Sequence, residues 1–213
     1  MESSPASSRA LGVVERLRAT YPEATTSLDH RNAFELLVAT VLSAQTTDAR
    51  VNTVTPTLFS RWQTPEDLAT ADPASVEQVV RPLGFQHRRA TQVVGLAHAL
   101  VEHFGGAVPA ASRDLESLPG VGRKTANVVR GNWFGIPALT VDTHVGRLAR
   151  RLGWTGATDP AAVERDVCAL LPDVDWTRLS HELIWHGRAV CTARAPRCDT
   201  CVLADLCPRV GVA

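Results

Sequence analysis

The chain has almost no lysine. Of its 22 lysine and arginine residues, only Lys124 is lysine. Tyrosine and methionine occur once each, and aromatic residues make up 5% of the chain. Few aromatics, with alanine, leucine and arginine abundant, disfavour a sheet protein and favour helices. Net charge is zero, so no global field advertises a nucleic-acid partner. Apolar runs never approach membrane-spanning length, which excludes a helical membrane protein. The first residues, Met1-Glu2-Ser3-Ser4-Pro5, lack the basic and apolar regions of a signal peptide. A soluble cytoplasmic protein is expected, in which clustered cysteines point to metal or redox chemistry before structural disulfides.

What is present is a hydrophobic content of 45% over 213 residues, enough for one large domain or two small lobes. Residues 1–8 read as a polar, disordered tail. Beyond them apolar residues recur with helical spacing. Phe34, Leu37, Val38 and Val41 follow a capping-box-like Asn32 and Glu35. Thr64-Pro65, Asp72-Pro73 and Asp159-Pro160 each place a capping side chain before a proline suited to the first helical position. Ala90, Val93, Ala97, Leu100 and Phe104 form a stripe that Gly105-Gly106 ends. Roughly ten short helices are expected, with no alternating strand pattern and no internal repeat. The fold class is all-α.

Leu118-Pro119-Gly120-Val121-Gly122-Arg123-Lys124 marks a tight turn between two helices, a helix-hairpin-helix over residues 112–130. Gly120 and Gly122 permit close backbone approach, and the second helix opens with unpaired N–H groups and a positive dipole end. Gly120, Val121, Gly122 and Arg123 are therefore candidates for gripping a nucleic-acid backbone. A plain helical corner is the simpler alternative. Locally the charge favours a polyanion: residues 113–151 hold seven basic side chains against three acids.

Lys124 falls in the first turn of the second helix. Arginine stays protonated and does not attack carbon, whereas an amine can form a Schiff base. The dipole end, and any burial, should depress its pKa. A neutral amine beside DNA can attack a sugar C1′. Phosphate binding alone is the milder role, but Arg123 already supplies the better phosphate ligand. Asp142, in Val141-Asp142-Thr143-His144, has the position of a helix N-cap. The same carboxylate would stabilise positive charge on a sugar or shuttle protons. His144 is a candidate structural group or DNA contact.

Cys191, Cys198, Cys201 and Cys207 are separated by six, two and five residues. One C-x-x-C pair rather than two is unusual for zinc. Four thiolates so close suit a cuboidal iron–sulfur cluster, with zinc and a disulfide as alternatives. Cys168, beside an apolar stripe, reads as an inert core thiol.

Taken with His186-Gly187-Arg188, these motifs resemble the bacterial endonuclease III family of helix-hairpin-helix DNA glycosylases and abasic-site lyases, from about Leu11 to Pro208. The resemblance implies a six-helix lobe over 26–136 and a discontinuous lobe, 9–25 plus 137–213, that holds a 4Fe-4S cluster on the four cysteines. It implies a lesion site in the cleft between them, with Lys124 and Asp142 as catalytic residues. Leu42-Ser43-Ala44-Gln45-Thr46-Thr47-Asp48 matches the segment whose glutamine fills the gap left by a flipped nucleotide. That gives Gln45 this role and makes Asp48 a neighbouring DNA-contact candidate. Leu83-Gly84-Phe85 matches the segment that wedges the opposite strand, which makes Phe85 the wedge. Arg194 and Arg197, in the cysteine loop, are further phosphate contacts. Phe85, Gln86 and Ala195 depart from the family's familiar leucine, tyrosine and basic residue. The expected activity is bifunctional removal of oxidised pyrimidines in base excision repair. The expected partner is damaged double-stranded DNA, met by a monomer at the bacterial nucleoid. Rivals are a monofunctional mismatch glycosylase and a non-catalytic, redox-sensing iron–sulfur DNA-binding module.

Overall fold

A computed structural model of the protein describes residues 5–212. Among them are eleven α-helices, two 3-10 turns and no strand. The first six helices are α1 (Pro5–Thr20), α2 (Ala33–Leu42), α3 (Asp48–Arg61), α4 (Pro65–Ala69), α5 (Pro73–Val80) and α6 (Gln86–Phe104). The others are α7 (Ser112–Glu116), α8 (Arg123–Asn132), α9 (Thr143–Arg151), α10 (Pro160–Leu170) and α11 (Trp176–Ala189).

Local chemistry sets most of these boundaries. Thr64, Asp72 and Asp159 cap α4, α5 and α10, each followed by proline at the first helical position. Thr64 and Asp67 form a reciprocal capping box, with bonds of 3.1 and 3.2 Å. The box expected at Asn32 is only half formed. Asn32 accepts from the Glu35 amide, but the Glu35 carboxylate turns to the backbone and guanidinium of Arg31 instead. The charged partner offers a stronger bond than the Asn32 N–H. Gly105 and Gly106 end α6 with positive φ, and both amides reach back to the Leu100 carbonyl.

The disordered tail expected over 1–8 is corrected at residues 5–8, which are helical. From Pro5 onward the chain is helical, because proline suits a first turn and the Ser7 hydroxyl donates to the Leu170 carbonyl at 3.3 Å. Residues 1–4 lie outside the described residues.

The chain divides into two compact units, Ser27–Ile136 and the chain up to Thr26 together with the chain from Pro137. Each has its own core. In the first, Leu36, Leu37, Leu58, Val76, Val93, Leu96, Leu100 and Val129 are fully buried. In the second, Val13 and Leu17 of α1 join Val145, Val163, Leu179 and Leu183. Each such side chain contributes about 1.5–3 kcal/mol through burial. α1 thereby fastens one end of the chain to α11 near the other.

Candidate nucleic-acid interface and metal centre

The turn between α7 and α8 is built from backbone. Gly120 has φ of 77°, and a Cβ there would lie 3.3 Å from Val41 Cγ1. The positive φ favours glycine, and the neighbouring side chain leaves little room for a Cβ. Val121 closes the turn with a 3.1 Å bond from its amide to the Leu118 carbonyl. Its side chain is buried, so Val121 offers a ligand only main-chain atoms. Gly122 caps α8 with no side-chain bond, and the space beside it is open. The positive end of the helix there has no capping side chain.

Lys124 is the second residue of α8 and is exposed. The buried side chains of α8 are Ala126, Asn127 and Val129. Asp142 caps α9. Its Oδ1 accepts from the amides of His144 at 2.8 Å and Val145 at 2.9 Å. Both cap bonds end on one oxygen, which leaves Oδ2 for other work. Arg147 donates from Nη2 to His144 Nδ1 at 3.1 Å. A guanidinium only donates, so Nδ1 accepts and Nε2 carries the proton. His144 therefore presents an N–H, the polarity a phosphate needs.

Gln45 and Phe85 share an unusual backbone. Three non-glycine residues with positive φ occur among the described residues, and two of them are Gln45 (59°) and Phe85 (49°). The left-handed conformation costs such residues about 1–2 kcal/mol. Gln45 lies in the turn between α2 and α3, and Phe85 caps the start of α6. Both are exposed, and Phe85 is 65% accessible, the most exposed large hydrophobic side chain described. Phe85 thus combines a strained backbone with an apolar ring left in water. Sequence reading missed the residue beneath both tips, Arg89, which is buried and hydrogen-bonded to the carbonyls beside each. Its signal was a cation four residues before Val93 on an otherwise apolar stripe. Asp48 opens α3, where a carboxylate complements the helix dipole.

Cys191, Cys198, Cys201 and Cys207 are free thiols and line one cavity, with Leu148, Leu152, His186 and Leu203. Donors already point at the sulfurs. Arg151 Nη1 lies 3.2 Å from Cys191 Sγ, and the amides of Leu203 and Arg209 lie 3.4 Å from Cys201 and Cys207. Burial pushes the Cys201 and Cys207 thiols up, and the neighbouring thiols push them further. Four sulfur ligands gathered around one cavity suit a cationic centre. Among the described residues no three His, Cys, Asp or Glu side chains converge tightly enough for a single metal ion. A multinuclear cluster fits this donor set better than zinc.

His186 completes the wall. It is buried, and burial lowers its pKa to about 4. Its Nδ1 meets the Tyr21 hydroxyl at 2.9 Å and its Nε2 meets Cys201 Sγ at 3.3 Å. Around it, Arg147 and Arg151 of α9 donate to the Cys191, Thr192 and Ala193 carbonyls at 2.7–3.1 Å. Gly187 permits this packing. A Cβ there would lie 2.9 Å from His144 Nδ1 and 3.0 Å from His144 Cβ. Arg194 and Arg197 are exposed in the cysteine loop, and Arg197 also donates to the Ala189 carbonyl. Cys168 packs half-buried against the core of its unit.

A family model for the HhH-GPD superfamily of base excision DNA repair proteins matches residues 38–173. A second, for the iron–sulfur binding domain of endonuclease III, matches residues 191–207. Endonuclease III of Synechocystis sp. is 50% identical over 201 residues, covering 94% of this chain and 92% of that protein. Endonuclease III of Escherichia coli (strain K12) is 38% identical over 199 residues, covering 93% and 94%. A solved trapped endonuclease III–DNA covalent intermediate with an estranged adenine superposes with a TM-score of 0.89 at 40% identity, covering 95% of this chain and 96% of that one. A thermostable thymine-DNA glycosylase shares the fold, with a TM-score of 0.87 at 21% identity, covering 97% and 99%.

Proposed function

The chain belongs to the endonuclease III family of the HhH-GPD superfamily, and from that premise we propose how its own residues divide the work of a bifunctional DNA glycosylase and abasic-site lyase. The protein acts in base excision repair and carries a 4Fe-4S cluster. We assign it oxidised pyrimidines in duplex DNA as substrate, and action as a monomer at the bacterial nucleoid.

In this reading Lys124 is the nucleophile. Its Nζ attacks C1′ of the flipped nucleotide and displaces the damaged base. The resulting imine acidifies the C2′ proton, and β-elimination breaks the 3′ phosphodiester. Asp142 stabilises the cationic stages through the carboxylate oxygen that capping leaves over. The amides of Gly120 to Arg123 hold phosphate without reading sequence. Gln45 fills the vacated space, Phe85 wedges the opposite strand, and His144, Arg194 and Arg197 add phosphate contacts. Asp48 sets the start of the helix that follows Gln45.

The unit Ser27–Ile136 is the helix-hairpin-helix lobe, and the other unit is the cluster lobe. Cys191, Cys198, Cys201 and Cys207 hold the cluster. When bound it cross-links the loop that carries Arg194 and Arg197, and no redox step is assigned to it.

The observation that carries this reading is the exposed Lys124 at the start of α8, which no side chain caps. In a chain otherwise served by arginine, binding alone requires no amine. The test is borohydride reduction during turnover. Besides the N-terminus, Lys124 is the one primary amine in the sequence, so the covalent adduct should map to its peptide. Lys124→Arg keeps the charge, and should bind DNA while losing trapping and strand cleavage. Near wild-type nicking by that variant would overturn the assignment. A monofunctional glycosylase would form no adduct at all.

A further inference from the structure

Arg89 is 3% exposed, in the first turn of α6. A buried guanidinium normally faces a carboxylate. This one faces carbonyls. Its Nε donates to Gly84 O at 2.8 Å. Its Nη2 donates to Ala44 O at 2.8 Å and to Leu83 O at 3.4 Å. Its Nη1 donates to Leu42 O. No ion pair of Arg89 occurs among the described residues. Burial, with Arg88 adding to it, lowers its pKa.

The four acceptors fall into two pairs. Leu83 and Gly84 lead directly into Phe85. Leu42 and Ala44 lead directly into Gln45. These segments lie 45–47 residues from Arg89 on one side and 5–6 on the other. One rigid, planar group thus ties together the only two chain segments that carry strained, exposed candidate tips in this unit. The geometry fits the group. A guanidinium spreads five donors in one plane and so fixes the separation of the carbonyls it bridges. The last carbonyls of α2, Leu42 among them, also present the negative end of a helix.

We propose that Arg89 is a positioning residue that locks the Gln45 and Phe85 tips at a fixed separation, so that both enter the duplex together when the damaged nucleotide is extruded. The inference rests on the reading of Gln45 and Phe85 as inserting residues. Two separately mobile tips would each relax from positive φ and would enter the stack at different times. A joined pair fills the vacated site and opens the opposite strand in one motion. Arg89 does not touch the reacting atoms, so its effect should scale with how much unstacking a substrate demands.

That dependence supplies the test. The same lesion is placed in a fully paired duplex and in a bubble where its neighbours are already unpaired. Single-turnover base release is measured on both, with 2-aminopurine beside the lesion to report extrusion. Arg89→Met removes every donor at similar length. It should slow base release and extrusion on the paired duplex by about tenfold or more, the scale of a misplaced positioning group. The loss on the bubble should be much smaller. Arg89→Lys keeps a cation with fewer donors and should fall between, and it serves if the methionine variant folds poorly. In the Arg89→Met background, the further effects of Gln45→Ala and Phe85→Ala should shrink, because the tips no longer act as a pair. Equal losses on both substrates would reduce Arg89 to a structural residue and overturn the proposal. If Gln45→Ala and Phe85→Ala slow the paired duplex selectively but Arg89→Met does not, the lock is wrong and the tips stand. If neither tip variant slows it, the insertion reading is wrong and the lock falls with it.

Discussion

Asp142 is asked to do two things at once, and substitution can separate them. As a cap it accepts two amide bonds, at 2.8 and 2.9 Å, both on Oδ1. Asp142→Asn keeps an oxygen in that place and preserves both bonds, losing only the charge at the helix start, which is worth about 0.3–1 kcal/mol. Asp142→Ala loses the bonds as well, at a cost of about 0.5–2 kcal/mol. For a chain of this size each kcal/mol moves Tm by about 2–4 °C. The alanine variant should therefore melt about 1–8 °C below wild type, and the asparagine variant closer to it. Base release should not follow that order. Removal of a charge aimed at the transition state costs about 100- to 1000-fold in rate. Both variants lack the carboxylate, so both should fall by that factor in single-turnover release from a lesion duplex, with DNA affinity little changed. Stability would then rank asparagine above alanine while activity ranks them together. Base release by Asp142→Asn near the wild-type rate would refute the chemical role and leave Asp142 a cap.

Two further outcomes follow from the cluster lobe. Gly187→Ala places a Cβ 2.9 Å from His144 Nδ1 and 3.0 Å from its Cβ. α9 and α11 must part, at a cost of about 1–3 kcal/mol, so a thermal melt should fall by several degrees, and base release should fall more than DNA affinity because His144 adjoins the Asp142 cap. An unchanged melting temperature would show that α9 shifts freely. Cys198→Ser should abolish the visible absorbance of the cluster and its stoichiometric iron, and should expose the chain between 190 and 212 to protease, since metal binding and local folding are coupled. A colourless wild-type protein with one bound zinc per chain would overturn the cluster assignment.

Signals confined to a few neighbouring residues were legible in the sequence. The pairs Thr64-Pro65, Asp72-Pro73 and Asp159-Pro160 cap helices as read, because a cap and the proline after it need no distant partner. The same holds for the Gly105-Gly106 stop and for Asp142 as N-cap. Where a second local partner competed, reading went astray. Glu35 chose Arg31 over Asn32, and a helix began inside the presumed tail. Long-range features were hidden. Arg89 is explained by carbonyls 45 and 47 residues away, and Gly187 by a histidine on another helix. The positive φ of Gln45 and Phe85 had no signal either, since neither residue is a turn former. The family resemblance alone singled out Gln45 and Phe85, and the structure adds that both are exposed with positive φ. The exposure of Lys124 was left open by the sequence, because a helix position close to the turn does not specify which face meets the core.

Two arginines of α9 join that helix to the loop that begins at Cys191. α9 is nine residues long, about 13 Å. Asp142 caps one end. Toward the other, Arg147 and Arg151 grip the carbonyls of Cys191, Thr192 and Ala193. Burial lowers the Arg147 pKa, with the Cys191 charge opposing that shift. Lysine could not replace either residue, because each bridges two or more acceptors with a planar fork. The first cysteine loop is therefore fastened along the helix whose start carries the carboxylate. A cluster held by Cys191, Cys198, Cys201 and Cys207 would restrain the loop whose carbonyls Arg147 and Arg151 engage. Through those arginines it would steady α9, the helix that Asp142 caps.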